Sequence, residues 1–365
     1  MMITGHEKIS THQLMLLFIM CTFSPAIRIF PSLTARTAKQ AAWLSPIASV
    51  LGLVIMVLII QSFFKKGNDQ NLTDVYINIL GRIPGYLVMG IYLISFILLL
   101  ALYTRYYAER IVSSILPDSS IQFFILVMLI FVFYVVRGGL VSLARFTEFI
   151  FAIFMIIFGV SIILSFSNVK LLYLTPISYL DILPVVKTIP VILSIWSYLL
   201  FMFFFADKVN DKENIKSLGL KSTLFVAVVG VLIIVTTVGT LSSSLAERVP
   251  LPYFLTIKDI SILKTLERLE SVTLSVWVAA DCVIISTLAY IILNIIKTLF
   301  RLSGTKTMAS PIILITYTLT LGIARNRFEL EEVSNKIFVF LNVLLGFIIP
   351  FFIFFIGKIR PSTRQ

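Results

Sequence analysis

Residues 12–32 read HQLMLLFIMCTFSPAIRIFPS. This stretch is long enough to cross a bilayer core, which takes about 20 apolar residues in a helix. It also holds two helix-breaking prolines, Pro25 and Pro31, and a charged residue, Arg28, near its middle. A charge at such a depth is expensive and usually functional. The stretch predicts a membrane-spanning helix with an interruption around Ser24; the alternative is that Pro25 only kinks the helix.

The rest of the composition agrees with a membrane protein. Of 365 residues, 59% are hydrophobic and 13% are charged, against about 25% charged in a typical soluble domain. The net charge is +12, but the basic residues lie in short segments between apolar runs. That distribution favours attraction to anionic lipid over nucleic-acid binding. We therefore expect no nucleic-acid partner.

Nine further apolar runs follow the first, which predicts an all-α membrane protein of ten transmembrane helices in one permease-like domain over residues 1–365. The predicted spans are 12–32, 41–63, 84–115, 121–137, 144–166, 186–206, 219–242, 268–299, 309–324 and 334–357. The connection from Glu247 to Thr265 is long and charged, and we expect a partly helical cap there.

Loop charges predict the orientation. With the N-terminus in the cytoplasm, the cytoplasmic segments hold 16 Lys and Arg and the outer segments hold 11. Because Lys and Arg concentrate on the cytoplasmic side, both termini are expected inside. The first run lacks a small-x-small cleavage site, so we do not expect a cleavable signal.

Spans one and six are the two with interruptions. Span one has Thr22 to Ala26, and span six has Trp196-Ser197-Tyr198 after Pro190. Two broken helices in corresponding positions indicate a five-plus-five inverted repeat. Alternatively, Ser197 only bonds its own backbone.

The candidate ligand site follows from these breaks and from the charges within spans. Arg28 and Asp281 either pair with each other across the bundle or face a cavity, where Arg28 would bind a carboxylate and Asp281 an amino group. A half-helix N-terminus at the first break would attract an anion. The aromatic residues near the breaks either wall the pocket or serve only in packing. The full predicted set is Thr22, Phe23, Ser24, Pro25, Ala26, Arg28, Trp196, Ser197, Tyr198 and Asp281.

Other polar residues in the spans have simpler interpretations. Arg105 and Glu109 are four apart and predict a structural ion pair on one helix face. Cys21 and Cys282 lie in apolar runs and read as free thiols, with no metal-ligand spacing. The sequence has no phosphate-binding, dinucleotide, zinc or nucleophile motif, so we expect neither an enzyme nor a cofactor.

Several motifs resemble the spore germination permease family, the B-type subunit of endospore germinant receptors, within the amino acid–polyamine–organocation transporter group. They are Lys8-Ile9-Ser10-x-x-Gln13-Leu14, Pro31, the Arg105 and Glu109 pair, Gly138-Gly139-Leu140 with Ala144-Arg145-Phe146, Glu267-Arg268-Leu269-Glu270-Ser271 with Trp277, and Pro350 with the basic tail from Lys358. The chain departs from the family at Ser24-Pro25-Ala26, Arg28 and Tyr198-Leu199-Leu200.

The resemblance implies a leucine-transporter-like fold, with the ligand between spans one, three, six and eight near the midplane. It further implies a sensor of small nutrients, typically amino acids, in the spore inner membrane, acting with an A-type subunit and a lipoprotein C-type subunit. The competing hypotheses are a secondary amino acid transporter coupled to H⁺ or Na⁺, and a structural or channel subunit without its own ligand.

Overall fold

A computed structural model describes residues 8–64, 69–114, 116–258 and 269–359, without the side chains of 269–271. The helices of the first half are α1 (Thr11–Ala38), α2 (Ser45–Phe63), α3 (Leu72–Leu80), α4 (Arg82–Ser114), α5 (Ile121–Gly138) and α6 (Leu140–Ser165). Those of the second half are α7 (Ile182–Trp196), α8 (Tyr198–Phe201), α9 (Ile215–Leu241), α10 (Ser243–Ala246), α11 (Pro252–Lys258), α12 (Leu269–Leu299), α13 (Ala309–Gly322), α14 (Arg327–Val333), α15 (Val339–Val343) and α16 (Ile349–Ile359). Over the described ranges the protein is helical, apart from loops and one isolated β-bridge.

Each predicted span contains a helix. Within the described ranges, eight helical segments are long and apolar enough to cross a membrane, and the first of them, Thr11–Phe63, contains both α1 and α2. The shortest predicted span, 309–324, contains the 14-residue α13. This helix packs against α4 and α5. The segment between α1 and α2, Lys39–Leu44, is a 3-10 turn rather than part of the second span.

One face of α4 is both apolar and exposed, which is typical of a surface that contacts lipid. Ile83, Leu87, Ile91 and Ile94 are exposed although they are large and apolar. Their spacing of three and four residues puts them on one side of the helix. Such an apolar outer stripe is what a membrane-spanning helix presents to lipid.

The break predicted in span one takes a different form from an unwound segment. Helix α1 is continuous from Thr11 to Ala38 and holds both prolines. Because proline has no N–H, Pro25 and Pro31 cannot donate to the carbonyls of Cys21 and Ile27, four residues before them. The interruption is therefore a loss of two helical hydrogen bonds, and the predicted half-helix N-terminus at 22–26 is not present.

Span six changes helix type beyond the predicted stretch 194–198, while Ser197 itself keeps helical dihedrals of φ −56° and ψ −24°. Helix α7 ends at Trp196, Ser197 separates it from the single turn α8, and a 3-10 segment continues to Lys208. Within that segment Phe205 leaves the helical region, with φ −121° and ψ 29°. The change of helix type begins in the middle of the span, where a ligand site was expected.

The spans assemble into two groups. Helices α1, α2, α7 and α9 pack on one another, and so do α4, α5, α12 and α13. The first group contains spans one, two, six and seven, and the second contains three, four, eight and nine. Each group thus draws corresponding spans from both halves, which is the arrangement of a five-plus-five inverted repeat. Helix α1 packs on α12 and joins the two groups.

The start of α1 is tied to the end of span six. Ser10 and Gln13 form a capping box. Ile9 makes a parallel bridge with Val209, and the Thr11 N–H donates to Asp211 Oδ1 at 2.6 Å. The family-like motif at residues 8–14 is therefore a helix cap and a clasp between spans one and six.

Two predicted features fall partly outside the described residues. The cap over 247–265 is described only to Lys258, and α11 supplies its helical part. The block from Glu267 to Ser271 lies outside the described residues, except for the backbone of residues 269–271, which begins α12.

Candidate functional site

Three helices build the centre of the site, and each contributes two side chains one turn apart. Residues four apart lie on the same face of a helix, so every pair projects toward the same neighbours. The pairs are Ser24 and Arg28 on α1, Tyr106 and Arg110 on α4, and Trp277 and Asp281 on α12.

Asp281 is the hub of this arrangement. Arg110 Nη1 lies 2.5 Å from its Oδ2, and the Ser24 hydroxyl donates to its Oδ1. All three residues are buried. A buried carboxylate is tolerated when it is paired and hydrogen-bonded, and here both oxygens have a partner.

Trp277 contacts two members of this cluster, Ser24 and Arg110. Its indole Nε1 donates to Ser24 Oγ at 2.9 Å, and the Arg110 guanidinium carbon lies 3.8 Å from its ring centroid. The serine hydroxyl therefore accepts from the indole and donates to the carboxylate. This orients Ser24, and the aromatic face stabilises the Arg110 cation.

Arg28 lies one turn along α1 from Ser24, in a different setting. Its guanidinium carbon is 3.4 Å from the centroid of the Tyr106 ring. Its Nη2 is buried and has no hydrogen-bond partner within the described part of the chain. The sequence left two alternatives for Arg28, an ion pair with Asp281 or a place facing a cavity. Arg28 and Asp281 do not form an ion pair, because Arg110 pairs with the Asp281 carboxylate.

The predicted span-six residues surround the break. Ser197 Oγ donates to the Ser194 carbonyl at 2.7 Å, so its side chain does bond its own backbone. Tyr198 donates to the Tyr103 hydroxyl of α4 at 2.8 Å. Trp196 is fully buried, and its Nε1 lacks a partner among the described residues.

The remaining predicted residues of span one do not converge on one point. Thr22 donates to the Phe18 carbonyl at 2.8 Å and so bonds its own helix. Phe23 packs on Phe154 and Phe158, with ring centroids 4.4 and 5.3 Å away. Pro25 and Ala26 are buried within the helix.

Phe154 and Phe158 line a cleft beside the charged cluster. The cleft is narrow and has room for about one water-sized molecule. Trp277 belongs both to the cleft and to the cluster. The cleft is lined by Ile27, Phe154, Ile157, Phe158, Ser161, Tyr253, Thr273, Val276 and Trp277.

The residues predicted to have structural roles are placed as follows. Arg105 Nη2 lies 2.9 Å from Glu109 Oε1, one turn away on α4. Cys21 is buried and Cys282 is half-buried, and both are free thiols. No cluster of three or more His, Cys, Asp or Glu that could hold a metal occurs in the part of the chain the structure describes.

Sequence reasoning missed Arg110, Tyr106 and the aromatic cleft. A signal for Arg110 was available, because residues 105–110 contain two arginines and one acid. The surplus cation needed an acid from another span, and Asp281 is the membrane-embedded acid without a partner on its own helix. Nothing comparable in the sequence indicated which phenylalanines line the cleft.

Comparison with known proteins bears on this arrangement. The profile of the spore germination protein family matches residues 8–328. Spore germination protein KB of Bacillus subtilis (strain 168) is 21% identical over 365 residues, covering 98% of this chain and 96% of the relative. The putative spore germination protein YfkT of the same organism is 22% identical over 361 residues, covering 96% and 97%.

A solved structure has the same fold. The crystal structure of MhsT in complex with L-phenylalanine matches with a TM-score of 0.71 at 13% identity, covering 94% of this chain and 89% of that one. The family resemblance and the fold predicted from sequence are both confirmed. This chain belongs to the spore germination protein family and is an integral, multi-pass membrane protein with a leucine-transporter-like fold.

Proposed function

We propose that this chain is the transmembrane B-type subunit of a spore nutrient-germinant receptor, and that it binds a small germinant, an amino acid, near the membrane midplane. The observation that carries the proposal is the buried contact of Ser24 with Asp281 and Arg110. Polar and charged groups at this depth are expensive and mark functional sites.

The predicted residues take distinct roles in this proposal. Arg28 receives the ligand carboxylate, because among the described residues it is a buried cation that has an unpartnered nitrogen and no paired acid. Asp281 organises the site rather than binding the ligand amino group, since both of its oxygens are engaged. The aromatic cleft beside Trp277 takes the apolar part of the ligand, and it must widen to do so.

Signalling is proposed to act through the contact between the two helix groups. Ser24 belongs to the group of α1, and Asp281 belongs to the group of α12. A ligand that binds more tightly to one relative position of the groups shifts the population toward it. The change would pass to an A-type subunit and a lipoprotein C-type subunit in the spore inner membrane, with both termini of this chain in the cytoplasm.

The test is a binding screen on the full-length protein in lipid nanodiscs. A panel of amino acids and nucleosides is added, and the unfolding temperature is measured. A ligand at a hundredfold its Kd stabilises the folded state by about 2.7 kcal/mol, so at least one amino acid should raise the unfolding temperature. If no amino acid does so, the sensor proposal fails.

Secondary transport is the second candidate, favoured by the fold shared with MhsT. On this hypothesis the same site carries an amino acid across the membrane with H⁺ or Na⁺. Proteoliposomes containing this chain alone would then concentrate a bound amino acid when an ion gradient is imposed. Binding without uptake would support the sensor over the transporter.

A further inference from the structure

The charges at the meeting point of α1, α4 and α12 do not balance. Among the described residues there, three arginines face two acids. Glu109 pairs with Arg105 and Asp281 pairs with Arg110. Arg28 has no acid within ion-pair distance among the residues that the structure describes, and it is only 6% exposed. A guanidinium stays protonated in proteins, so the cluster keeps one net positive charge.

Two buried guanidinium nitrogens also lack acceptors. Arg28 Nη2 and Arg110 Nε have no hydrogen-bond partner within the described ranges. A buried donor left unsatisfied is unfavourable, and more so on a charged group. The two groups are neighbours, because Arg28 lies over Tyr106, which is one turn from Arg110 on α4.

We propose that Arg28 and Arg110 together form an anion clamp, and that the ligand of this protein is recognised by its carboxylate. The inference rests on the proposed function and narrows it to a ligand class. A carboxylate supplies the missing negative charge and acceptors for both unpartnered nitrogens. Because the Asp281 oxygens are already engaged, the ligand's amino group contributes little to binding.

The cleft favours a carboxylate that carries an apolar group. Trp277 stacks on Arg110 and also lines the cleft. A ligand held by its carboxylate at the clamp would extend its other end toward Phe158 and Tyr253. Planar, bidentate recognition of a carboxylate is what arginine does best. A free small anion carries the same charge as the ligand carboxylate, so the experiment below tests free anions separately.

The experiment compares three related probes on the full-length protein in nanodiscs. L-phenylalanine has both groups, 3-phenylpropionate lacks the amino group, and 2-phenylethylamine lacks the carboxylate. Sodium acetate and sodium chloride serve as free anions. Binding is measured by calorimetry and by the unfolding temperature. We expect 3-phenylpropionate to bind within about tenfold of L-phenylalanine, and 2-phenylethylamine to bind at least about tenfold more weakly.

Two variants separate binding from folding. Arg28→Gln removes the unbalanced charge, so the ligand-free protein should be as stable as the wild type or more so, while carboxylate binding falls at least about tenfold. Arg105→Gln with Glu109→Gln is the matched control, because it removes an electrically neutral pair from α4, the helix that carries Arg110. The control should bind the probes as the wild type does.

The outcomes are distinguishable. Equal binding of the amine and the amino acid, or unchanged binding by Arg28→Gln, overturns the clamp and leaves the sensor proposal standing. Stabilisation by acetate or chloride that depends on Arg28, with no amino acid bound, supports the clamp for free anions and contradicts the sensor proposal. If none of these probes and no amino acid of the panel binds, both proposals are overturned.

Discussion

Gly346 lies so close to Ser197 that a Cβ at position 346 would be 2.2 Å from the Ser197 Cβ and 2.9 Å from its Cα. Span ten therefore touches the backbone at the break of span six. At this point span ten is a π-helical turn, Leu344–Ile348, and Tyr92 of α4 donates to the Leu345 carbonyl in the same turn. The π-helical turn can therefore pack this closely on Ser197 because position 346 has no side chain, and Tyr92 bonds the same turn to α4.

Replacing that glycine should disturb the break. In Gly346→Ala the new methyl meets backbone rather than a flexible side-chain end, so span ten must move away from span six. We expect a loss of about 1–3 kcal/mol in unfolding free energy, measured by thermal or denaturant unfolding in detergent.

The control is Gly90→Ala on α4, where nothing lies within 4 Å of the added atom. That change should be neutral or stabilising by up to about 1 kcal/mol, because alanine favours the helix. Equal stability of the two variants would contradict the close contact at Gly346.

The Asp281–Arg110 pair should depend on both partners. Asp281→Asn leaves Arg110 as an uncompensated buried charge, and removal of one partner from a buried pair costs about 3–5 kcal/mol. The double variant Asp281→Asn with Arg110→Gln removes both charges and should recover a large part of that loss. Unfolding of the wild type, each single variant and the double variant gives the coupling energy. A coupling energy near zero would be inconsistent with the ion pair.

Because Asp211 accepts a hydrogen bond from Thr11 in the clasp at the start of α1, the stability of the fold should depend on pH. Partial burial by itself raises the pKa of Asp211, but hydrogen bonds from Asn214 and Thr11 outweigh it and hold the pKa below its ordinary value. A depressed carboxyl pKa gives stability that is present above the unfolded-state pKa of about 4 and is lost as pH falls through the folded-state pKa.

Asp211→Asn provides the comparison. At pH 7 the variant should unfold at a lower temperature than the wild type, and the difference should shrink as the pH falls from about 4 toward 3. Other carboxyl groups titrate equally in both proteins, so the difference isolates Asp211. A difference that stays constant from pH 7 to pH 3 would show that the Asp211 charge does not stabilise the clasp.

Filling the cleft should block binding without harming the fold. Ser161 lines the cleft and bonds only its own helix backbone, at Ile157. Ser161→Val places a methyl where there is room for about one water. We expect unfolding free energy within about 1.5 kcal/mol of the wild type and amino acid affinity reduced at least about tenfold.

Ser165→Val is the matched control, one turn further along α6. Ser165 is equally buried and bonds its own helix, but it is not part of the cleft lining. Amino acid affinity should be unchanged in this variant. If Ser161→Val also binds normally, the ligand does not use this cleft.

Much of the fold was accessible from the sequence. Runs of about 20 apolar residues predict spans because a lipid-facing helix must be apolar along its length. All ten predicted spans contain helices, and the change of helix type around Ser197 was anticipated from its position after Pro190. The exception is span one, where proline removes hydrogen bonds while the helix stays continuous and packs on α7, α9 and α12.

The candidate site was less accessible. Ser24, Arg28 and Asp281 stood out because polar residues inside spans are costly, and each lies in the central cluster or one turn from it. Their partners did not stand out. Tyr106 is an ordinary residue in an aromatic-rich chain, and Trp277 was noted only as part of a family motif. Phe23 packs on Phe154 and Phe158 only because of how α6 is placed.

The sequence by itself determined that this is a helical membrane protein and which polar groups are buried in its spans, because both depend on the local composition of each segment. Only the tertiary structure decided that Asp281 pairs with Arg110 and leaves Arg28 over Tyr106. That choice depends on the rotation and relative depth of α1, α4 and α12. A shift of α1 by one helical turn, about 5.4 Å, would put Arg28 where Ser24 now contacts Asp281.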